Sequence, residues 1–463
     1  MSIFSIPLLV AAVAVACFGA MAQAAEPAAG DAADLVRNGD FSAGAEGKAP
    51  EHWAPWLPDW QPAACEVRKT SDGLLVEAPG KPFGVGGVRQ RLEGFREGKA
   101  YAVDVTCRAK GIADPLRSLL VRLTWMKGDK LLHPAGWLAG QVPTKGGEVA
   151  FHDVLVVPRG ADAAMLSLEV KWPGGGSVVW RRAAVTPTET PRPRVARIGT
   201  VYLRPQNSTP EKNLALWCEK IDQAGKLKLD AVCLCEAILQ VGTTRGPADT
   251  AEAIPGPSTE QLGRAAKRNR LWVVAGLMER AGEALYNTAV LIDREGKLAG
   301  TYRKVHLPRE EWKKGVTPGG DYPVFRTDFG TVAIQICYDW FFPEAAEVFA
   351  LRGAEVLFAP TWGTTFADRV GRAEGETVFR VRARDNGLYL VPSVYDGSSM
   401  VIDPLGRVLA TSNGDHEGVY WAEVDLAQRD RLWWVGHWRS IGPRHRMPGT
   451  YGDLTKASGP ASR

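Results

Sequence analysis

Thr331-Val332-Ala333-Ile334-Gln335-Ile336-Cys337-Tyr338-Asp339-Trp340-Phe341-Phe342-Pro343 is a mostly apolar, β-branched run that gives way to a turn and then meets a proline. The run predicts a buried strand, and the proline, whose fixed φ suits the first turn of a helix, predicts a helix over residues 343–352. A second run of the same grammar, Leu229-Asp230-Ala231-Val232-Cys233-Leu234-Cys235, leads straight into Glu236. Each delivers a reactive side chain to the carboxyl edge of a strand. Working outward, further strands are expected at 197–203, 272–278, 288–292, 355–358 and 389–394. Helices are expected at 210–224, 258–269 and 372–385. Strands alternating with helices define an α/β domain, and late hairpins at 400–409 and 419–424 suggest a mixed sheet.

Upstream the grammar differs. Between residues 34 and 185, short strand-like runs at 101–107, 119–125, 149–157 and 164–170 are separated by Gly, Pro and charged turns, as in an all-β sandwich of jelly-roll type. Residues 186–194, Thr-Pro-Thr-Glu-Thr-Pro-Arg-Pro-Arg, are rich in proline and poor in large apolar side chains, and read as a semi-rigid linker. The expected organisation is therefore a sandwich at 34–185, a linker at 186–194, an α/β domain at 195–430 and a C-terminal tail at 431–463. A chain of 463 residues is longer than one hydrophobic core usually supports, which agrees with two domains.

Residues 1–24 carry no charged side chain and end in Ala22-Gln23-Ala24, the small-x-small pattern accepted by a signal peptidase. Export, periplasmic or secreted, with cleavage before Ala25 is expected; an uncleaved segment would instead anchor the chain in a membrane. The 56 basic and 52 acidic residues nearly cancel, leaving a formal charge of +4 and no electrostatic footprint for nucleic acid. The cysteines beyond the leader are too few for a disulfide framework and lack zinc spacing. Cys233 and Cys235, two apart in a strand-like run, are expected to share a buried face, and an oxidising compartment would allow a Cys65–Cys107 bridge.

Cys337, Glu236 and Lys304 carry the chemistry. A thiol at a strand–turn–helix junction meets backbone donors and the positive end of a helix, both of which favour thiolate and receive an oxyanion. Lys304, in Tyr302-Arg303-Lys304-Val305-His306-Leu307-Pro308, adds a fixed positive charge. A papain-like Cys–His pair lacks its signature surroundings here, so His306 is read as structural, and no Gly-x-Ser-x-Gly elbow is present.

The succession of a strand-end Glu, Arg-Lys-x-His-Leu and Ile-Cys-Tyr-Asp-Trp-Phe-Phe-Pro-Glu resembles the nitrilase superfamily of carbon–nitrogen hydrolases. The resemblance extends to Arg382-Ala383-Arg384-Asp385-Asn386-Gly387 and Ile402-Asp403-Pro404-Leu405-Gly406. It implies an α-β-β-α sandwich, no metal or organic cofactor, and a triad of Glu236, Lys304 and Cys337. In that triad the Glu is general base, the Cys nucleophile, and the Lys, with the backbone N–H of Tyr338, holds the oxyanion. It also implies a supporting glutamate between lysine and cysteine; the match is ambiguous between Glu310 and Glu311, of which Glu311 is preferred. Cys337-Tyr338-Asp339-Trp340 looks more like amidases and N-carbamoyl hydrolases than like true nitrilases, so a small amide or ureido substrate is expected, with Trp362 lining the pocket. Acyl transfer from the same thioester is the alternative, as is a binding protein with an inactive hydrolase domain. Homodimers are usual in the superfamily, and one is expected here.

The start of the sandwich, Leu35-Val36-Arg37-Asn38-Gly39-Asp40-Phe41 followed by Pro50-Glu51-His52-Trp53, resembles galactose-binding-like and carbohydrate-binding sandwiches. Glycan binding is what that resemblance implies. Trp53, Trp56, Trp60, Trp125, Trp137, Trp172 and Trp180 are the indoles available for stacking or, more commonly, for filling a core.

Overall fold

The computed structural model describes residues 33–132, 136–138, 140–143, 147–364, 374–427, 431–432, 436–437, 442 and 445–456. The leader at 1–24 and about half of the tail lie outside them.

Residues 33–188 form two antiparallel sheets. One runs Ala54–Trp56, Val85–Glu93, Ala163–Lys171, Leu119–Lys127, and the other Glu66–Thr70, Gly73–Glu77, Ser177–Thr188, Ala100–Lys110, Glu148–Val156. Alternate residues of the long strands, Val88, Leu166, Leu168, Val121 and Leu123 on one sheet and Val103, Val105, Phe151 and Val178 on the other, fill a single core between them. This is the period-2 pattern of half-buried strands. Trp53, Trp125 and Trp180 are core residues, whereas Trp60 and Trp172 stand 72% and 43% exposed. The side chain of Trp137 lies outside the described residues. Cys65 and Cys107 are both free and buried. The last sandwich strand runs to Thr188, three residues into the expected linker, because Thr186, Pro187 and Thr188 pair with Ala102, Tyr101 and Ala100. Proline is tolerated there near the end of the strand.

The α/β domain has two six-stranded sheets, and both are mixed. The first is ordered Leu298–Arg303, Ala284–Ile292, Trp272–Ala281, Ala231–Cys233, Val195–Tyr202, Gly418–Asp425; the second Val324–Arg326, Thr331–Ile334, Val356–Gly363, Tyr389–Asp396, Met400–Ile402, Val408–Thr411. Each has three parallel central strands flanked by antiparallel ones. Residues 400–411 do form a hairpin, but Gly418–Asp425 crosses to the edge of the other sheet, antiparallel to Val195–Tyr202.

The sheets pack face to face. Ala196, Ile198, Ala231, Cys233 and Val274 of one share a core with Ala333, Leu357 and Val391 of the other. Buried hydroxyls stitch the layers: Thr200 Oγ1 donates to Pro392 O at 2.7 Å, and Ser393 Oγ to Val201 O at 2.7 Å. Helices Pro210–Lys226 and Pro257–Asn269 cover the outer face of the first sheet through Leu214, Trp217, Ile221 and Leu262. Pro343–Leu351 and Glu374–Asn386 cover the second through Phe349, Phe379 and Ala383. The layers are α-β-β-α. Cys233 and Cys235 part company, contrary to expectation: the strand ends at Cys233, which faces the second sheet, while Cys235 joins the core under the first helix layer.

Candidate active site

The site lies at the carboxyl edges of the parallel strands, where open α/β sheets usually place their ligands. Glu236 follows the strand Ala231–Cys233, and the chain turns at once, Ala237 taking φ +46°. That turn lies flat against Gly276 of the neighbouring strand. A Cβ there would come within 2.6 Å of Glu236 Cα and 2.8 Å of Ala237 N, so the close approach requires glycine. Lys304 leaves the end of Leu298–Arg303, its N–H bonded to Asn287 O at 2.9 Å. Cys337 begins the 3₁₀ turn Cys337–Phe341 with φ +40°, a left-handed conformation costing a β-carbon-bearing residue about 1–3 kcal/mol. Trp362 stands near the end of Val356–Gly363.

These segments bring Glu236, Lys304, Glu311 and Cys337 together. Glu236 and Lys304 are 3% and 1% exposed. Lys304 Nζ donates to Glu236 Oε1 at 2.8 Å and to Glu311 Oε1 through a very short contact. Asn287 Nδ2 donates to the same two carboxylates, at 2.7 Å to Glu236 Oε1 and 3.0 Å to Glu311 Oε2. The remaining oxygen of Glu236, Oε2, accepts the Trp362 N–H at 2.8 Å. Two of the three ammonium protons of Lys304 are thus committed to carboxylates, and the third is left to a ligand. Glu310, by contrast, is turned to solvent beside Arg309, 3.6 Å away, although it borders the mouth of the cavity.

Burial pushes the Cys337 thiol above its ordinary value, and the charge of Glu236 adds to this; Lys304 and the Trp362 N–H pull the other way without prevailing. The expected bias towards thiolate is therefore reversed. The physical reason is that burial, reinforced by the charge of Glu236, outweighs the pull of Lys304 and the Trp362 N–H; the thiol also stands on a five-residue 3₁₀ turn rather than directly on an α-helix. Burial acts to lower the Lys304 ammonium, but Glu236, Cys337 and Glu311 together hold it above its usual range, so it stays charged. Burial raises Glu311, which Lys304 and Asn287 only partly offset.

A cavity of about 270 Å³ opens over Cys337, lined also by Trp362, Met278, Gln240, Pro247 and Lys314. That volume is at the small end for a ligand pocket. Sequence reasoning passed over Asn287, Met278, Gln240 and Lys314. Only Asn287 left a signal, as a polar residue just ahead of the apolar run Ala289-Val290-Leu291-Ile292.

The sequence matches the carbon–nitrogen hydrolase family model over residues 196–432. It is 34% identical over 241 residues to omega-amidase NIT2 of Mus musculus, covering 48% of this chain and 85% of that protein. It is 31% identical over 247 residues to a nitrilase of Pyrococcus abyssi, covering 50% and 90%. Among solved structures, a carbon–nitrogen hydrolase from Helicobacter pylori G27 aligns over 57% of this chain and 99% of its own, with 25% identity and a TM-score of 0.49. The chain belongs to the carbon–nitrogen hydrolase family of the nitrilase superfamily. It is an enzyme of that class, with amidases among its relatives.

Proposed function

We propose that this protein hydrolyses a small primary amide or ureido compound through a thioester on Cys337. The observation that carries the reading is the division of labour on Glu236: Oε1 accepts from both Lys304 and Asn287, Oε2 accepts only the Trp362 N–H, and the Cys337 thiol interacts with the same carboxylate. Oε2 takes the thiol proton as the sulfur attacks the carbonyl carbon, so thiolate forms only with substrate in place. The oxyanion lies on the third proton of Lys304 and the N–H of Tyr338. Collapse breaks the C–N bond, and ammonia leaves with the proton held by Glu236. Glu236 then deprotonates water, which cleaves the thioester and restores thiol and carboxylate.

Omega-amidase among the relatives supports an amide rather than a nitrile, and a cavity of about 270 Å³ favours a short acyl group. The test is ammonia release from a panel of short amides, N-carbamoyl compounds and nitriles, with a C337A control. Cysteine-dependent release from nitriles alone would refute the amide reading. Transfer of the acyl group to an added amine in preference to water would make the enzyme an acyltransferase.

For the sandwich we infer a saccharide ligand, stacked on the exposed rings of Trp60 and Trp172. Failure of the protein to sediment with any of a panel of insoluble polysaccharides would refute it. Export and a homodimer belong to the same reading: the mature chain is expected to start at Ala25 by N-terminal sequencing, and to weigh as a dimer at micromolar concentration.

A further inference from the structure

The mechanism leaves one fully buried carboxylate unused. Asp339 is two residues after the nucleophile, shows no exposed surface, and is not among the residues lining the cavity. Its oxygens nevertheless accept four hydrogen bonds from the two segments that carry Cys337 and Lys304. Oδ2 accepts the Ile336 N–H at 2.9 Å, closing the turn immediately before the nucleophile, and the Tyr302 hydroxyl at 2.7 Å. Oδ1 accepts the His306 backbone N–H at 3.0 Å and the His306 ring, through Nδ1, at 2.8 Å. Tyr302 and His306 stand two residues before and two residues after Lys304. The single carboxylate therefore grips the lysine segment on both sides of the ammonium-bearing residue, while gripping the cysteine turn on its N-terminal side.

Two further contacts make the joint stiff. The His306 ring stacks on Phe342 with centroids 3.9 Å apart and planes 10° from parallel, fixing the imidazole against the end of the same turn. Tyr302 is 1% exposed and packs edge-on against Phe349 of the following helix. Burial, then the charge and hydrogen bond of Asp339, push its phenol well above the ordinary range, so it remains a donor. The left-handed φ of Cys337 needs such a restraint, because strained backbone persists only where its surroundings over-determine it.

We propose that Asp339, acting through Tyr302, His306 and Ile336, is a positioning residue that sets the separation and orientation of Lys304 and Cys337. The inference rests on the proposed roles of those two residues. Asparagine at 339 presents one acceptor oxygen and an NH₂, so it cannot receive both pairs of donors: it releases either the His306 pair or the Ile336 and Tyr302 pair, and the lysine segment loses a grip in both cases. Tyr302→Phe removes one grip and keeps the ring packing. His306→Ala removes another.

The experiment measures three quantities on the full chain and on the D339N, Y302F and D339N/Y302F variants: kcat and KM for the best amide found, the second-order rate of Cys337 alkylation by iodoacetamide, and the melting temperature. D339N is expected to lower kcat by about 10²-fold with KM little changed, the size of effect a misplacement of about 1 Å produces. Alkylation is expected to change by about tenfold or more, since the thiol loses its fixed relation to Lys304 and Glu236. Y302F should act in the same direction by less, and the double variant should be no worse than D339N, because both act through one carboxylate. Loss of melting temperature with unchanged kcat and alkylation rate, or strictly additive effects, would overturn the proposal. Should D339N not fold, Y302F decides: an alkylation rate equal to that of the parent refutes it. The alkylation arm needs no substrate, so inactivity of the parent on every amide would count against the proposed function and leave this proposal to be judged on the thiol.

Discussion

At the scale of single residues the site is a ring of donors and acceptors in which each group has a counted role. Lys304 is the cation between a buried carboxylate, Glu236, and a half-buried one, Glu311, so replacing it does two things at once. It removes the proposed oxyanion donor, a loss of about 10²–10³ in kcat. It also leaves Glu236 and Glu311 facing each other without a counter-charge, the kind of change that costs about 3–5 kcal/mol when one partner of a buried pair is deleted. K304A is therefore expected to be both inactive and thermally weakened, whereas E236Q, which keeps the shape and most contacts, should lose about 10²–10⁴ in kcat with a modest change in melting temperature. Activity assays paired with thermal melts check both.

The protonation states give a second expectation. Cys337 is held above the ordinary thiol value of 9.0, and Lys304 above the ordinary 10.5. A thiol raised in the folded state stays protonated as pH climbs through 9, and a lysine raised in the folded state keeps its charge, and its stabilising ion pairs, until pH passes its folded value. Alkylation of Cys337 should consequently show no inflection near pH 9, and kcat/KM no alkaline loss from these two groups below about pH 10. A sigmoidal rise in alkylation centred near 9 would mean an ordinary exposed thiol. Cys337, Glu236 and Lys304 were legible from sequence because each follows an apolar run or sits in a dense motif. Asn287 and Asp339 were not singled out, because their importance lies in which distant segments they join, a property that residue type and spacing do not encode.

Among the elements, the helices of the α/β domain were readable to within a few residues, as with Pro210–Lys226 and Pro257–Asn269, because proline marks their first turns and apolar periodicity their buried faces, whereas the short, half-exposed strands Leu298–Arg303 and Val324–Arg326 were missed. What remained hidden was sheet membership. Val195–Tyr202 and Tyr389–Asp396 read alike as buried strands, and only the layering assigns them to different sheets. The strand–turn junctions are where element geometry becomes chemistry. Gly276 is the test case: a methyl group there would meet Glu236 Cα, Ala237 N and Cys235 O at 2.6, 2.8 and 2.9 Å, all backbone-bound atoms that cannot rotate away. G276A is expected to displace the Glu236 turn, costing about 1–3 kcal/mol in stability and, through misalignment of the proposed base, about 10²-fold in kcat. A variant with full activity would show that the turn yields without moving the carboxylate.

For the molecule as a whole, the sandwich core shares no member with the cores of the α/β domain, which argues that sandwich and hydrolase are separate units. Composition already announced the change of grammar near residue 190, but the prolines of 186–194 concealed that the sandwich strand continues to Thr188. Residues 189–194 are exposed, which makes them the natural point of proteolysis. The described part of the tail does touch both units, through Arg446 on Glu347 at 2.7 Å and Arg117 on Met447 at 3.5 Å. Contacts of this surface kind are worth about 0–1 kcal/mol each, too little to shape a cavity whose lining comes wholly from residues 236–362. Cleavage after Glu189 by a glutamate-specific protease should accordingly leave ammonia release from a soluble amide within about twofold of the intact chain, as expected if the units are joined only by contacts of that strength. If the sandwich binds saccharide as proposed, turnover of an amide carried on an insoluble polysaccharide should fall much further, because such a tether supplies local concentration and nothing to the chemistry. Equal losses on both substrates would show that the sandwich completes the active site, and no loss on either would remove the case for tethering.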